Sequence, residues 1–176
     1  SEVTLKPGSQ LLYAQDFGAE NRNVELKGEA FFDVQPNPEK PFAIDVNGTE
    51  VKVLGTSFNV DPSNGVEVKV STGKVKLSAP KQGKAKPESV VLEAGMSARY
   101  DEEEKQITEV REISQNDFFW AKKTLEYQDT PMREVAKDLK KHYKVKIRFG
   151  IKELEECPLT VTFKNESIDS IMLVIQ

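Results

Sequence analysis

Six apolar positions recur at one interval near the end of the chain, and that repetition constrains the fold more tightly than any other feature of the sequence. Leu125, Tyr127, Met132, Val135, Ala136 and Leu139 are matched by Val161, Phe163, Ile168, Ile171, Met172 and Ile175, and every difference, from 161 − 125 to 175 − 139, equals 36. In each set the first two positions alternate as on a strand, and the other four follow the i, i+3, i+4, i+7 stripe of a helix. Asp129 or Thr130 ahead of Pro131, and Ser167 ahead of Ile168, supply helix-cap chemistry at both helix starts. Lys144-Val-Lys-Ile-Arg-Phe149 alternates again and reads as the strand returning after the first helix. The expectation is a small α+β domain over residues 114–176, built from a duplicated β-α-β unit whose last strand is truncated.

The preceding residues, 1–113, read as all β. Short alternating runs are separated by corners of one form: an apolar residue, a short polar stretch with a glycine, then an apolar residue again, at Gly8, Gly28, Gly73 and Gly95. The intervals, 28 − 8 = 20 and 95 − 73 = 22, are near-periodic without making a solenoid repeat. Between the pairs lies Glu50-Val-Lys-Val-Leu-Gly-Thr-Ser-Phe-Asn-Val60, whose apolar parity moves from Val51 and Val53 to Phe58 and Val60. One residue must be absorbed, and the reading is a bent strand bulging near Gly55. Asn47-Gly48 is a hairpin turn, and Pro80 to Ser89 reads as an exposed, mobile loop. A sandwich or β-roll of about ten strands accommodates these features. Ser114 with Asp117 three residues on starts a helix just before Phe118, Phe119 and Trp120, and marks the domain boundary.

Composition narrows the function. A net charge of −4, with lysines interleaved among acids, gives no electrostatic reason for nucleic acid. The single cysteine, Cys157, rules out an intrachain disulfide framework. No stretch approaches the roughly 20 apolar residues of a membrane helix. The chain opens inside what reads as a strand and closes inside what reads as a helix, as expected of a soluble piece of something longer.

Chemistry is sparse. His142, in Lys140-Lys-His-Tyr143, has no metal-ligating partner at helical spacing and reads as an exposed helix-terminal residue. Cys157 has no neighbouring cation to activate it and reads as a buried or half-exposed small residue. Glu102 to Glu104 read as a solvated turn rather than a metal site, and phosphate-binding glycine motifs are absent. No catalytic, metal or cofactor residue is assigned, and no cofactor is called for. Two surfaces suit binding: a basic band of Lys137, Lys140, Lys141, Lys144, Lys146 and Arg148, and the open sheet edge of the duplicated domain.

Several runs together resemble a known family. Gly28-Glu-Ala-Phe-Phe-Asp-Val34, Pro41-Phe42, Val53-Leu-Gly-Thr-Ser-Phe-Asn-Val60 and Val70-Ser-Thr-Gly-Lys-Val75 resemble the periplasmic region of FecR-like anti-sigma regulators of the Bacteroidetes type. Trp120, Leu125-Glu-Tyr-Gln-Asp-Thr-Pro-Met132, Val135, Leu139 and Tyr143-Lys-Val-Lys-Ile147 are similar to their C-terminal domain, which is like the short domain at the start of secretins and TonB-dependent transporters. Two positions depart: Lys6-Pro7 stands where the family often has an aspartate, and Lys123 where a glycine is frequent.

The resemblance implies a non-enzymatic periplasmic relay. Its partners would be the signalling domain of an outer-membrane TonB-dependent transducer and, through a cytoplasmic segment upstream of Ser1, an extracytoplasmic-function sigma factor. An upstream helix would anchor it in the inner membrane. The alternative is an extracellular β-rich module binding carbohydrate or another ligand, which requires an exposed aromatic platform drawn from Tyr13, Phe17, Phe31, Phe32, Phe42, Phe58 and Tyr100.

Overall fold

The computed structural model describes residues 1–81, 83, 86–110 and 112–175. It divides into two compact units, Ser1–Ile113 and Ser114–Gln176.

In the first unit twelve strands form: β1 (Glu2–Leu5), β2 (Gln10–Tyr13), β3 (Arg22–Lys27), β4 (Ala30–Asp33), β5 (Phe42–Val46), β6 (Thr49–Val53), β7 (Ser57–Asp61), β8 (Val66–Thr72), β9 (Lys74–Ser78), β10 (Ser89–Glu93), β11 (Ser97–Asp101) and β12 (Gln106–Val110). They make two six-stranded sheets, ordered β1-β4-β7-β8-β11-β12 and β10-β9-β6-β5-β3-β2. The unit is therefore a sandwich, one of the two architectures the corners allowed. Alternation carries the inner faces: Ile44, Val51 and Leu77 stand opposite one another across one sheet, and Phe32 stacks on Phe58 at 5.2 Å in the other. All five are fully buried, which is where this unit gains its hydrophobic stabilisation.

The glycines have a common task. The chain passes from one sheet to the other at Gly8, Gly28, Gly55, Gly73 and Gly95. The joined strands keep almost the same neighbours in both sheets, so the sandwich is one sheet creased along a line of glycines. Only β5 is inserted in one layer, between β3 and β6, and β12 extends the other. Gly8 and Gly28 belong to one hairpin doubled over the crease (β1 with β4, β2 with β3), and Gly73 and Gly95 to another (β8 with β11, β9 with β10). The near-equal intervals in the sequence are contour lengths of these bent hairpins. Gly28 shows why the residue is needed: its φ is +82°, and a Cβ there would lie 2.9 Å from that of Ser9.

Gly55 corrects the expectation of a single bulged strand. β6 and β7 lie in different sheets, so the parity change is a change of layer, and the register shift falls at Ser57 and Phe58 against β8. What Gly55 supplies is closeness: a Cβ would come within 2.5 Å of Pro36 Cα. Backbone bonds lock that approach, Val34 N to Thr56 O at 3.0 Å, Thr56 N to Val34 O at 3.1 Å and Asn37 N to Leu54 O at 2.7 Å. The Arg22 guanidinium then holds the proline loop by donating to the carbonyls of Lys40, Gln35 and Asn37. Asn47 and Gly48, both at positive φ, form the expected hairpin turn between β5 and β6. The Pro80 to Ser89 loop includes residues 82, 84 and 85, which lie outside the described residues.

The second unit opens with the Ser114 capping box, in which Ser114 Oγ accepts from Asn116 N and Asp117 Oδ2 accepts from Ser114 N. It starts a 3-10 turn, Gln115–Phe118, and a single-turn helix, α1 (Phe119–Lys122), rather than a longer helix. Lys123, at the position where the resemblance favours glycine, closes α1 in the left-handed region at φ +53°. There follow β13 (Thr124–Pro131), α2 (Met132–Tyr143), a 3-10 turn at Lys152–Glu156, β14 (Pro158–Lys164) and α3 (Ile168–Ile175).

The strand–helix duplication is present and has a local dyad. β13 and β14 pair antiparallel with Leu125 opposite Phe163, Glu126 opposite Thr162 and Tyr127 opposite Val161. Because 162 − 126 = 36, the central pair joins equivalent positions, and the flanking pairs exchange copies. The backbone repeats too, since Asp129 and Asn165, again 36 apart, both have positive φ. Leu125, Tyr127, Val135, Leu139, Phe163 and Ile171 form the buried core.

Two details differ from expectation. α2 has Pro131 at its N-cap and no side-chain cap; Thr130 Oγ1 is engaged with the Gln128 backbone, because β13 bulges there and runs on to Pro131. The free Met132 N–H donates instead to Cys157 O at 3.0 Å. Ser167 caps α3 as expected, accepting from Ser170 N at 3.1 Å. Lys144 to Phe149 is not a strand: among the described residues no ladder partner lies beside it. A strand is defined by its ladder, and periodicity alone does not provide one. The unit is β-α used twice, with an unpaired segment of alternating burial after the first helix.

Candidate docking surfaces

The basic band divides into two parts. On α2, Lys137 pairs with Glu134 at 2.8 Å and Lys141 with Asp117 at 2.6 Å, so two of its three helical lysines are satisfied locally. Beyond the helix, Lys144, Lys146 and Arg148 are exposed and have no carboxylate within 4.0 Å among the described residues. The intervening Val145 and Ile147 are half-buried against the second core. The segment thus keeps the in–out alternation of a strand, apolar side inward and cationic side outward.

A buried amide that the sequence reading did not single out fixes the base of this region. Asn116 is 3% exposed, donates to Asp138 Oδ2 at 2.7 Å and accepts from Glu126 N at 2.7 Å. It ties the opening turn to α2 and to β13, and the only sequence signal was its place inside the Ser114 capping box. Close by, the Tyr127 hydroxyl is buried without a hydrogen-bond partner among the described residues. Burial, with the Asp138 charge next, pushes its pKa far above the usual range.

The reactive residues considered from sequence remain apart. His142 is half-buried rather than exposed, its ring 4.8 Å from that of Phe119. Desolvation, followed by the charge of Lys141, lowers its pKa from the ordinary value. Cys157 is exposed rather than buried, on the short stretch leading into β14. Glu102 to Glu104 form a turn in which the Asp101 carboxylate accepts from the backbone of Glu103 and Glu104; these bonds, Glu104's first, hold the Asp101 carboxyl below its usual range. Among the described residues no cluster of three His, Cys, Asp or Glu side chains is placed to hold a metal ion.

Of the rings that a carbohydrate platform would need, Phe31, Phe32, Phe42, Phe58 and Tyr100 are buried. Only Tyr13 and Phe17 stay exposed, 5.6 Å apart. A concavity of about 540 Å³ lined by Asp45, Glu50, Lys76 and Lys86 brings no aromatic ring with it. A filled sandwich followed by a doubled unit with exposed sheet edges has the build of a protein-recognition module rather than of a pocketed receptor.

Comparison with known proteins agrees with this class. Residues 1–76 match the family model described as FecR protein, and residues 124–176 match that described as FecR, C-terminal. The chain is also similar to two crystal structures of a candidate anti-sigma factor from Parabacteroides distasonis. Both are 27% identical to it with a TM-score of 0.58; the match covers 99% of this chain and 81% of the crystallised chain in one and 80% in the other. No curated protein matches. The chain belongs to the FecR family of anti-sigma regulators. That family is membrane-anchored with a periplasmic region. Among the described residues no helix is long and apolar enough to cross a membrane.

Proposed function

We propose that this chain is the periplasmic sensor and relay of a transmembrane anti-sigma factor. It receives a signal from the signalling domain of a TonB-dependent outer-membrane transducer and controls an extracytoplasmic-function sigma factor through a cytoplasmic segment. Residues 1–113 are its FecR-like domain and residues 114–176 its domain similar to the secretin and TonB short N-terminus. The observation that carries this reading is the pairing of a FecR match at the start of the chain with a FecR C-terminal match at its end.

In this reading the second unit is the docking surface, and the creased sandwich transmits load towards the membrane. Relay requires the transducer to bind two states of the regulator with unequal affinity, because a ligand shifts an equilibrium only by its differential affinity. Chemical cross-linking of the whole chain to a transducer signalling domain tests the assignment. The expected cross-links fall on Lys137, Lys140, Lys144 and Lys146. Cross-links confined to lysines of residues 1–113 would contradict it.

A further inference from the structure

We propose that Val145–Phe149, directly after the helix-closing Lys144, is a strand-addition site that takes an acidic, extended polypeptide segment, which the docking assignment above would draw from the transducer. The inference rests on that docking reading for the partner's origin, and on three observations for its mode.

First, the segment has a strand's periodicity, with Val145 and Ile147 half-buried against the second core and Lys144, Lys146 and Arg148 exposed. Second, among the described residues no backbone hydrogen bond joins Val145–Phe149 to another segment; the bond in this region, Lys144 N to Lys140 O, belongs to the end of α2. Backbone with a strand's alternation of burial and unanswered N–H and C=O groups is a template for another strand. Third, Lys144, Lys146 and Arg148 have no carboxylate neighbour among the described residues, although the chain as a whole carries a net charge of −4. On the neighbouring helix Arg133, Lys137 and Lys141 do meet acids, Glu156, Glu134 and Asp117.

An added strand would place its side chains opposite this alternation. On the outer face acidic residues would stand across from Lys146 and Arg148, each pair contributing roughly 0.2–1 kcal/mol in a ladder, with the Lys144 charge at its end. On the inner face apolar residues would extend the Val145 and Ile147 surface. The recognised chemistry is thus an alternation of acidic and aliphatic residues over about six positions, read by backbone pairing with charge setting specificity.

The test uses the whole chain and a fluorescein-labelled peptide, Glu-Val-Glu-Ile-Glu-Val, followed by anisotropy and by hydrogen exchange of the Val145–Phe149 amides. Binding that protects these amides is expected, with affinity lost at least about tenfold in the Lys146→Glu, Arg148→Glu double variant, as two reversed cross-strand pairs imply. Methylating alternate backbone nitrogens of the peptide should abolish binding. Failure of the peptide to bind overturns the proposal. So does charge-dependent binding without amide protection, which would be surface attraction alone. Protection already present in the free protein also overturns it, since another part of the same protein would then occupy the edge. The docking assignment fails separately: a signalling domain that cross-links to residues 114–176 while these amides stay unprotected leaves that reading standing and removes this one. Peptide binding with protection, but no cross-link to the signalling domain, supports strand addition by a different acidic partner.

Discussion

The two units answer the same problem, what to do with a β-strand's second edge and second face, in opposite ways. In the sandwich all the strands but the four at the sheet edges have neighbours on both sides, and its inner faces close over Phe32, Phe58 and a layer of Val, Ile and Leu. In the doubled unit a two-stranded ladder and two helices enclose a core of six buried residues, and a segment of alternating burial is left unpaired. The first solution pairs most of the strand backbone within the unit; the second leaves a cationic segment unpaired. Glycine marks the difference. In the sandwich it stands at five of the six crossings between the sheets, the proline loop from β4 to β5 being the other, whereas in the doubled unit positive φ is borne by Lys123, Asp129, Lys144 and Asn165.

The largest effect should come from the filled core. Phe32→Ala should cost about 3–5 kcal/mol in urea denaturation, because the ring is fully buried and stacked. The same experiment on Val161, a half-buried position of the doubled unit, should cost visibly less. Gly55→Ala comes next, at about 2 kcal/mol, since its Cβ would meet Pro36 Cα at 2.5 Å. Gly150 is the matched control: nothing lies within 4 Å of a Cβ there, so Gly150→Ala should stay within about 0.5 kcal/mol. If the two glycines behaved alike, the crease would be no more demanding than a loop.

Asn116→Ala should cost about 1–3 kcal/mol, because it strands the Glu126 amide and removes the Asp138 partner in one step. A smaller cost would mean that the doubled unit does not depend on its buried amide. Lys123→Gly runs the other way. Moving a residue with a side chain out of the left-handed region should stabilise by about 1 kcal/mol, read as a higher melting temperature.

The smallest effect is a pH dependence. His142 has its pKa lowered by burial, so the unfolded chain binds its proton more readily than the folded one. Stability is complete when the ring is neutral in both states and falls as pH drops below the ordinary value of about 6.5. It levels off once the folded ring is protonated too. Melting curves of His142→Gln should lack this component.

Much of the sandwich was legible because glycine in an alternating pattern has few uses: Gly8, Gly28, Gly73 and Gly95 all proved to be corners. Which corner faces which was not legible. Whether Gly8 meets Gly28 or another glycine depends on non-local pairing, and so does the parallel pairing of β3 with β5. The interval of 36 gave the doubled unit its strands and helices because each copy repeats the same burial demand; the dyad shows only in the ladder register. The return strand misled for a related reason. Lys144–Phe149 has the period of a strand, but period reports only which side faces the core and says nothing about a neighbour. Asn116 was invisible because a single asparagine in a turn carries no pattern; only the groups around it give it work.

The division of labour can be tested in one measurement, the affinity of the whole chain for a transducer signalling domain, compared between Gly55→Ala and Lys146→Glu under conditions where both remain folded. The account predicts that the crease variant binds as the parent does despite its lower stability, and that the charge variant binds several-fold more weakly at unchanged stability. Weaker binding by the crease variant, with the charge variant indistinguishable from the parent, would contradict it.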